Sequence, residues 1–138
     1  MLETLLRLHE GERLKVYRCP GGKLTIGVGR NLEDRGITAE ESAMLLRNDI
    51  ADFRARLIAV LPWVRQLDEV RQAVLVDMAF NLGVAGLLNF RQTLANVQAG
   101  DYREAAAQML RSRWADQVKT RAVRLSEMMR SGQWPRDL

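Results

Sequence analysis

Leu2, Leu5, Leu6 and Leu8 recur at the spacing of a short helix that stops around Gly11. The pattern then changes period. Leu14 and Val16, and after them Leu24, Ile26 and Val28, alternate with other residues as strands do, and Pro20-Gly21-Gly22 between the two runs is a turn signal. This predicts a β-hairpin, with a third short strand near residues 30–33. Thr38 and Glu41 form the T-x-x-E pattern of a capping box, in which each side chain satisfies a free N–H at a helix start. Leu46, Ile50, Phe53, Leu57 and Leu61 follow at helical spacing until Pro62 ends the run. A helix over residues 37–61 would be about 33 Å long at 1.5 Å per residue, enough to bridge two lobes.

The remainder reads as packed helices. Asp68 can cap one carrying Val70, Ala73, Val74 and Phe80 that ends near Gly83. Asn89 can cap another, with Leu94 and Val97, ending near Gly100. Asp101 and Glu104 make a second capping box, and a last helix carries Val118, Ala122, Leu125 and Met129 and stops before Gly132. The expected fold class is α+β, mainly α, in one domain over residues 1–138. A small N-terminal β lobe (12–36) and the long helix (37–61) would be followed by a helical lobe (62–138) packed with the N-terminal helix (2–10).

Composition supports a globular chain: 138 residues, 47% hydrophobic and 28% charged. The longest stretch without a charged residue, residues 78–90, is shorter than the roughly 20 apolar residues a spanning helix needs, so no membrane insertion is expected. Glu3, Arg7, His9 and Glu10 interrupt what would be the apolar region of a signal peptide, so the expected site of synthesis is the cytoplasm. The net charge of +4 favours polyanions such as nucleic acid, anionic lipid or an acidic wall polymer, without choosing among them. Cys19 is the single cysteine, so no internal disulfide can form. His9 is the single histidine, which leaves a zinc site without partners, and no metal is expected.

Three residues combine into candidate chemistry: Glu10 at a helix end, Cys19 at the hairpin turn and Thr25 on the returning strand. If the hairpin folds back beside the helix end, all three can face one cleft. Glycoside hydrolysis needs an acid to protonate the leaving oxygen and usually a second group that activates water or stabilises positive charge at the sugar. A partly shielded glutamate suits the acid role.

The segment His9-Glu10-Gly11-Glu12-Arg13-Leu14-Lys15-Val16-Tyr17, followed by Leu24-Thr25-Ile26-Gly27-Val28-Gly29, resembles the phage-type (T4-like) lysozyme family. That family carries Glu, eight residues, Asp or Cys, five residues, Thr, and Glu10, Cys19 and Thr25 match the spacing. Met78-Ala79-Phe80-Asn81-Leu82-Gly83, Ser112-Arg113-Trp114 and Arg121-Ala122 extend the resemblance along the chain, with a shorter stretch between Gly29 and Ile37.

The resemblance implies a lysozyme-like fold and an endolysin of a phage or prophage. It would hydrolyse the β-1,4 bond between N-acetylmuramic acid and N-acetylglucosamine in bacterial peptidoglycan, as a monomer without a cofactor. It would reach the wall once the membrane is permeabilised. It implies Glu10 as general acid, Thr25 as holder of the attacking water and Cys19 as the second catalytic group, with Arg121 offsetting the charge of Glu10. Asn81, Trp114 and Gly29 would bind substrate. Cys19 stands in place of the more familiar Asp, and Arg18 beside it can lower its pKa. Arg30 stands where the T4 protein has a histidine paired with an aspartate, so Arg30 and Asp49 are expected to form an ion pair.

Two other classes fit parts of the sequence. A non-catalytic peptidoglycan-binding protein on the same fold would keep the basic surface and make no cut. A small basic nucleic-acid binder is permitted by charge, but the arginines are scattered, no base-reading motif emerges, and an aromatic content of 6% offers few stacking platforms.

Overall fold

The computed structural model describes residues Met1–Leu138. It has the expected α+β character, with a small sheet near the N-terminus and helices elsewhere. The chain divides into two compact units, Met1–Leu46 and Arg47–Leu138.

The first unit opens with helix α1 (Leu2–Glu10). Strands β1 (Arg13–Arg18), β2 (Leu24–Gly27) and β3 (Arg30–Asn31) follow as an antiparallel sheet in the order β1-β2-β3. Tyr17 pairs with Thr25 and Arg18 with Leu24, and Thr25 pairs on its other side with Asn31. Thr25 therefore lies in the central strand, which is why so small a polar residue is only 2% exposed. The turn between β1 and β2 is closed by the Gly22 N–H donating to the Cys19 carbonyl (2.8 Å) and the Cys19 N–H donating to the Lys23 carbonyl (3.0 Å).

Helix α2 (Ala39–Val60) begins in the first unit and ends in the second. Its start is the expected reciprocal box: the Glu41 N–H donates to Thr38 Oγ1 (3.1 Å) and the Thr38 N–H donates to Glu41 Oε1 (2.9 Å). Along the apolar stripe only Leu57 is buried; Phe53 and Leu61 pack partly against the same core.

In the second unit a 3₁₀ turn (Pro62–Gln66) leads to α3 (Glu69–Leu88), α4 (Arg91–Gln98), α5 (Tyr102–Leu110), α6 (Arg113–Val118) and α7 (Thr120–Ser131). Asp68 caps α3 as expected, accepting from the Arg71 N–H. Helix α3 is apolar and long enough to cross a membrane by length and composition. Its apolarity has a nearer cause, since Val74, Leu75, Met78, Ala79 and Leu87 are in the core. Arg71 ties its start to the end of α7: it donates to the Met129 and Arg130 carbonyls (2.7 and 2.9 Å) and stacks 3.6 Å over the Tyr102 ring.

Three expected boundaries differ. Gly83 does interrupt its helix, at φ 77 and ψ 158, a conformation essentially confined to glycine. The chain nevertheless resumes helical geometry to Leu88, because Val84 and Leu87 are needed in the core. Asn89 is consequently the C-terminal cap of α3, and the cap position of α4 falls to Phe90, whose side chain makes no capping bond. Val118 belongs to α6 rather than the last helix, because Lys119 takes φ 50 and separates the two. Asp101 accepts from the Glu104 N–H (3.3 Å), but the Glu104 carboxylate turns to Arg111 (2.9 Å), so that box is closed on one side only.

Candidate active site

In the first unit, Glu10 is the last residue of α1 and is exposed, where partial shielding was expected, because α1 buries none of its residues. Its carboxylate lies against the backbone of Gly29 in the turn between β2 and β3. A Cβ built on Gly29 would stand 3.0 Å from Glu10 Oε2 and 3.3 Å from Cδ. Gly29 also has φ +66, so two independent demands require glycine there. The structure thus joins Gly29 to Glu10 directly, where the resemblance had placed Gly29 among substrate-binding residues.

Cys19 follows β1 at the mouth of the hairpin turn and is half-buried. Its thiol is held below the ordinary range chiefly by the Lys23 backbone N–H, opposed by desolvation and assisted by the Gly21 N–H. The expectation that Arg18 lowers it is corrected. Arg18 donates to the Gly22 carbonyl (2.9 Å) and lies 3.5 Å from Glu33, so its charge is already answered. Thr25 Oγ1 donates to the Lys23 carbonyl (2.9 Å), which leaves the oxygen's lone pairs to accept another hydrogen bond. Cys19 and Thr25 are therefore brought together at one end of the hairpin, and Glu10 is seated on the sheet at Gly29.

The Arg30–Asp49 pair is replaced by another. Arg30 closes on Glu41 through both carboxylate oxygens (2.9 Å each) and also donates to the Gly36 carbonyl (3.2 Å). Glu41, at the start of α2, lies in the same unit as Arg30. Glu41 already carried a signal in the sequence as a capping residue; its second role did not. The Arg30 guanidinium, then the Thr38 N–H and hydroxyl, hold the Glu41 carboxyl down to about 2. Because that value lies below 4.5, the ordinary one for Glu, the pair stabilises the fold above the ordinary range. The contribution is lost as pH falls from 4.5 towards 2. The Tm advantage of wild type over Glu41→Gln at neutral pH is therefore expected to vanish on acidification. NMR titration should find the Glu41 carboxyl near 2, and an ordinary midpoint would refute the pairing.

In the second unit, Trp114 is not a surface residue awaiting substrate. It is 3% exposed and meets Phe90 edge-on, with ring centroids 6.0 Å apart. Its Nε1–H donates to Asn81 Oδ1 (2.8 Å). Asn81 is exposed, and this bond fixes which way its amide points, leaving the NH₂ group free to donate outward. Arg121, for which Glu10 was the implied partner, finds a carboxylate within its own unit: Asp77 on α3, at 2.8 Å, with a further bond to the Asp77 carbonyl (3.3 Å). Asp77 was missed from the sequence. Its one signal is that it is the last charged residue before the long uncharged stretch 78–90.

The family model described as phage lysozyme matches residues 7–128. The chain is 26% identical to the probable T4-type lysozyme 1 of Dictyostelium discoideum, over 95% of this chain and 94% of that one. It is 36% identical to the endolysin of Salmonella phage P22, covering 70% of this chain and 73% of that one. It is also 30% identical to the pre-baseplate central spike protein of Enterobacteria phage T4, over 95% of this chain but only 28% of the spike protein's length. With a match over most of its length, the chain belongs to the phage lysozyme family.

Proposed function

We propose that the chain is a muramidase that hydrolyses the β-1,4 bond between N-acetylmuramic acid and N-acetylglucosamine in peptidoglycan, and that it serves a phage or prophage as an endolysin in host lysis. The observation that carries this reading is the seating of the Glu10 carboxylate on Gly29, in the same compact unit as Cys19 and Thr25 at one end of the hairpin.

Glu10 protonates the leaving glycosidic oxygen. Thr25, buried and with its proton engaged by the Lys23 carbonyl, accepts a hydrogen bond from the attacking water and orients it. Cys19, as thiolate, receives the water's proton or stabilises the positive charge that develops at the sugar. Asn81 offers its amide NH₂ to substrate, and Trp114 acts behind it as a positioning residue. The enzyme works as a monomer on peptidoglycan once the membrane has been permeabilised.

The role of Cys19 has a direct test. Cys19→Asp is expected to keep activity and Cys19→Ala to lose about a hundredfold, the lower range for loss of an acid–base group. A thiolate accumulates as pH rises through the thiol's midpoint. Wild-type activity should therefore rise in a range below that of an ordinary thiol, and Cys19→Asp should move that limb to the carboxylate range, near pH ~4. Product analysis on purified peptidoglycan reads the rate, the muramic-acid reducing ends and the anomeric outcome together. An alanine variant as active as wild type would mean that Glu10 and a Thr25-held water suffice.

A further inference from the structure

The loop over residues 32–36, which occupies the shortened stretch after β3, reaches back to the hairpin turn with two carboxylates. Glu33 Oε1 accepts from the Leu24 N–H (2.9 Å) and lies 3.5 Å from Arg18, whose guanidinium also donates to the Gly22 carbonyl (2.9 Å). Asp34 lies 3.4 Å from Lys23 Nζ and is itself held by Asn31, whose amide donates to it (3.0 Å) and whose Oδ1 accepts from its N–H (3.0 Å). Every residue bound in this way flanks Cys19 or belongs to its turn: Arg18 precedes it, Gly22 and Lys23 complete the turn, and Leu24 follows. The turn is closed on Cys19 itself, whose N–H donates to the Lys23 carbonyl (3.0 Å) and whose carbonyl accepts from the Gly22 N–H (2.8 Å), and a Cβ built on Gly21 would stand 3.7 Å from the Cys19 sulfur.

We infer that Glu33 is a positioning residue for the reaction, holding turn 19–23 closed so that Cys19 keeps its place beside Thr25. It touches neither the thiol nor the expected position of substrate. It acts through one backbone hydrogen bond at Leu24 and one ion pair at Arg18, and Asp34 supports the same segment at Lys23. The geometry gives the hydrogen bond the larger part, because the pair with Arg18 is mostly exposed and such pairs contribute little.

The inference rests on the catalytic reading of Cys19 only for its effect on rate, so the test separates the two. Two quantities are measured on full-length wild type, Glu33→Ala and Glu33→Gln. One is the pH dependence of Cys19 alkylation by iodoacetamide; the other is kcat and KM on soluble peptidoglycan fragments. Both variants remove the Glu33 charge and release Arg18 alike, so they are compared with each other. Glu33→Gln, whose amide oxygen can still accept from Leu24, should keep kcat near wild type. Glu33→Ala should have its thiol midpoint above that of Glu33→Gln and lower kcat by about tenfold with KM unchanged. An alanine variant whose thiol midpoint and kcat match those of the glutamine variant overturns the inference. A moved thiol midpoint with kcat unchanged would uphold the hold on the turn and refute the role in the reaction, and would count against Cys19 as a catalytic group.

Discussion

Glu10→Gln is expected to lose lysis by a factor of about 10²–10⁴, the range for removal of a positioned general acid. That corresponds to roughly 3–5 kcal/mol on the barrier. Glutamine has nearly the shape of glutamate, so the contact with the Gly29 backbone is retained and the fold should be unaffected. Only the transferable proton is lost. Clearing of exposed cell walls and release of reducing ends measure the effect, with Tm as the control for folding. Clearing at the wild-type rate by a folded Glu10→Gln protein would remove Glu10 from the acid role and, with it, the central element of the proposed mechanism.

Trp114→Ala is expected to cost about 3–5 kcal/mol of stability, the usual range for truncating a buried tryptophan. A domain of ordinary stability has only about 5–15 kcal/mol in total, so the variant should unfold at much lower denaturant. Trp114→Phe separates packing from hydrogen bonding. It keeps an aromatic ring against Phe90 but removes the Nε1 donor to Asn81. Its stability loss should be smaller, with about 1 kcal/mol of it due to the hydrogen bond. If Asn81 contacts substrate, KM should rise while kcat stays near wild type, since a misdirected amide weakens ground-state and transition-state binding alike. Chemical denaturation and steady-state kinetics on the same preparations check both. A loss below about 1 kcal/mol for the alanine variant would contradict the buried placement of Trp114.

The sheet and most helix starts were legible because their causes are local. Pro20-Gly21-Gly22 makes a turn wherever it is placed, and Thr38 and Glu41 satisfy each other three residues apart. Lys119 was not legible. A lysine at φ 50 has no signature in the sequence, and only the need to redirect the chain between α6 and α7 explains the position. Asn89 misled for a related reason. Asparagine suits either end of a helix, and the burial of Leu87 decided that α3 should run up to it.

The sequence by itself determined the secondary structure classes, the hairpin and the long helix, which follow from period and local motif, properties of neighbours along the chain. Its resemblance to the phage lysozyme family singled out Glu10, Cys19 and Thr25. Only the tertiary structure decided what each side chain meets. Arg30 closes on Glu41 and Arg121 on Asp77, Trp114 turns into the core to hold Asn81, and Arg18 turns to Glu33 and the Gly22 carbonyl. A charge pairs with the nearest opposite charge in space, and a ring is buried where volume must be filled. Both depend on how elements far apart in sequence come together, which periodicity and motif do not encode.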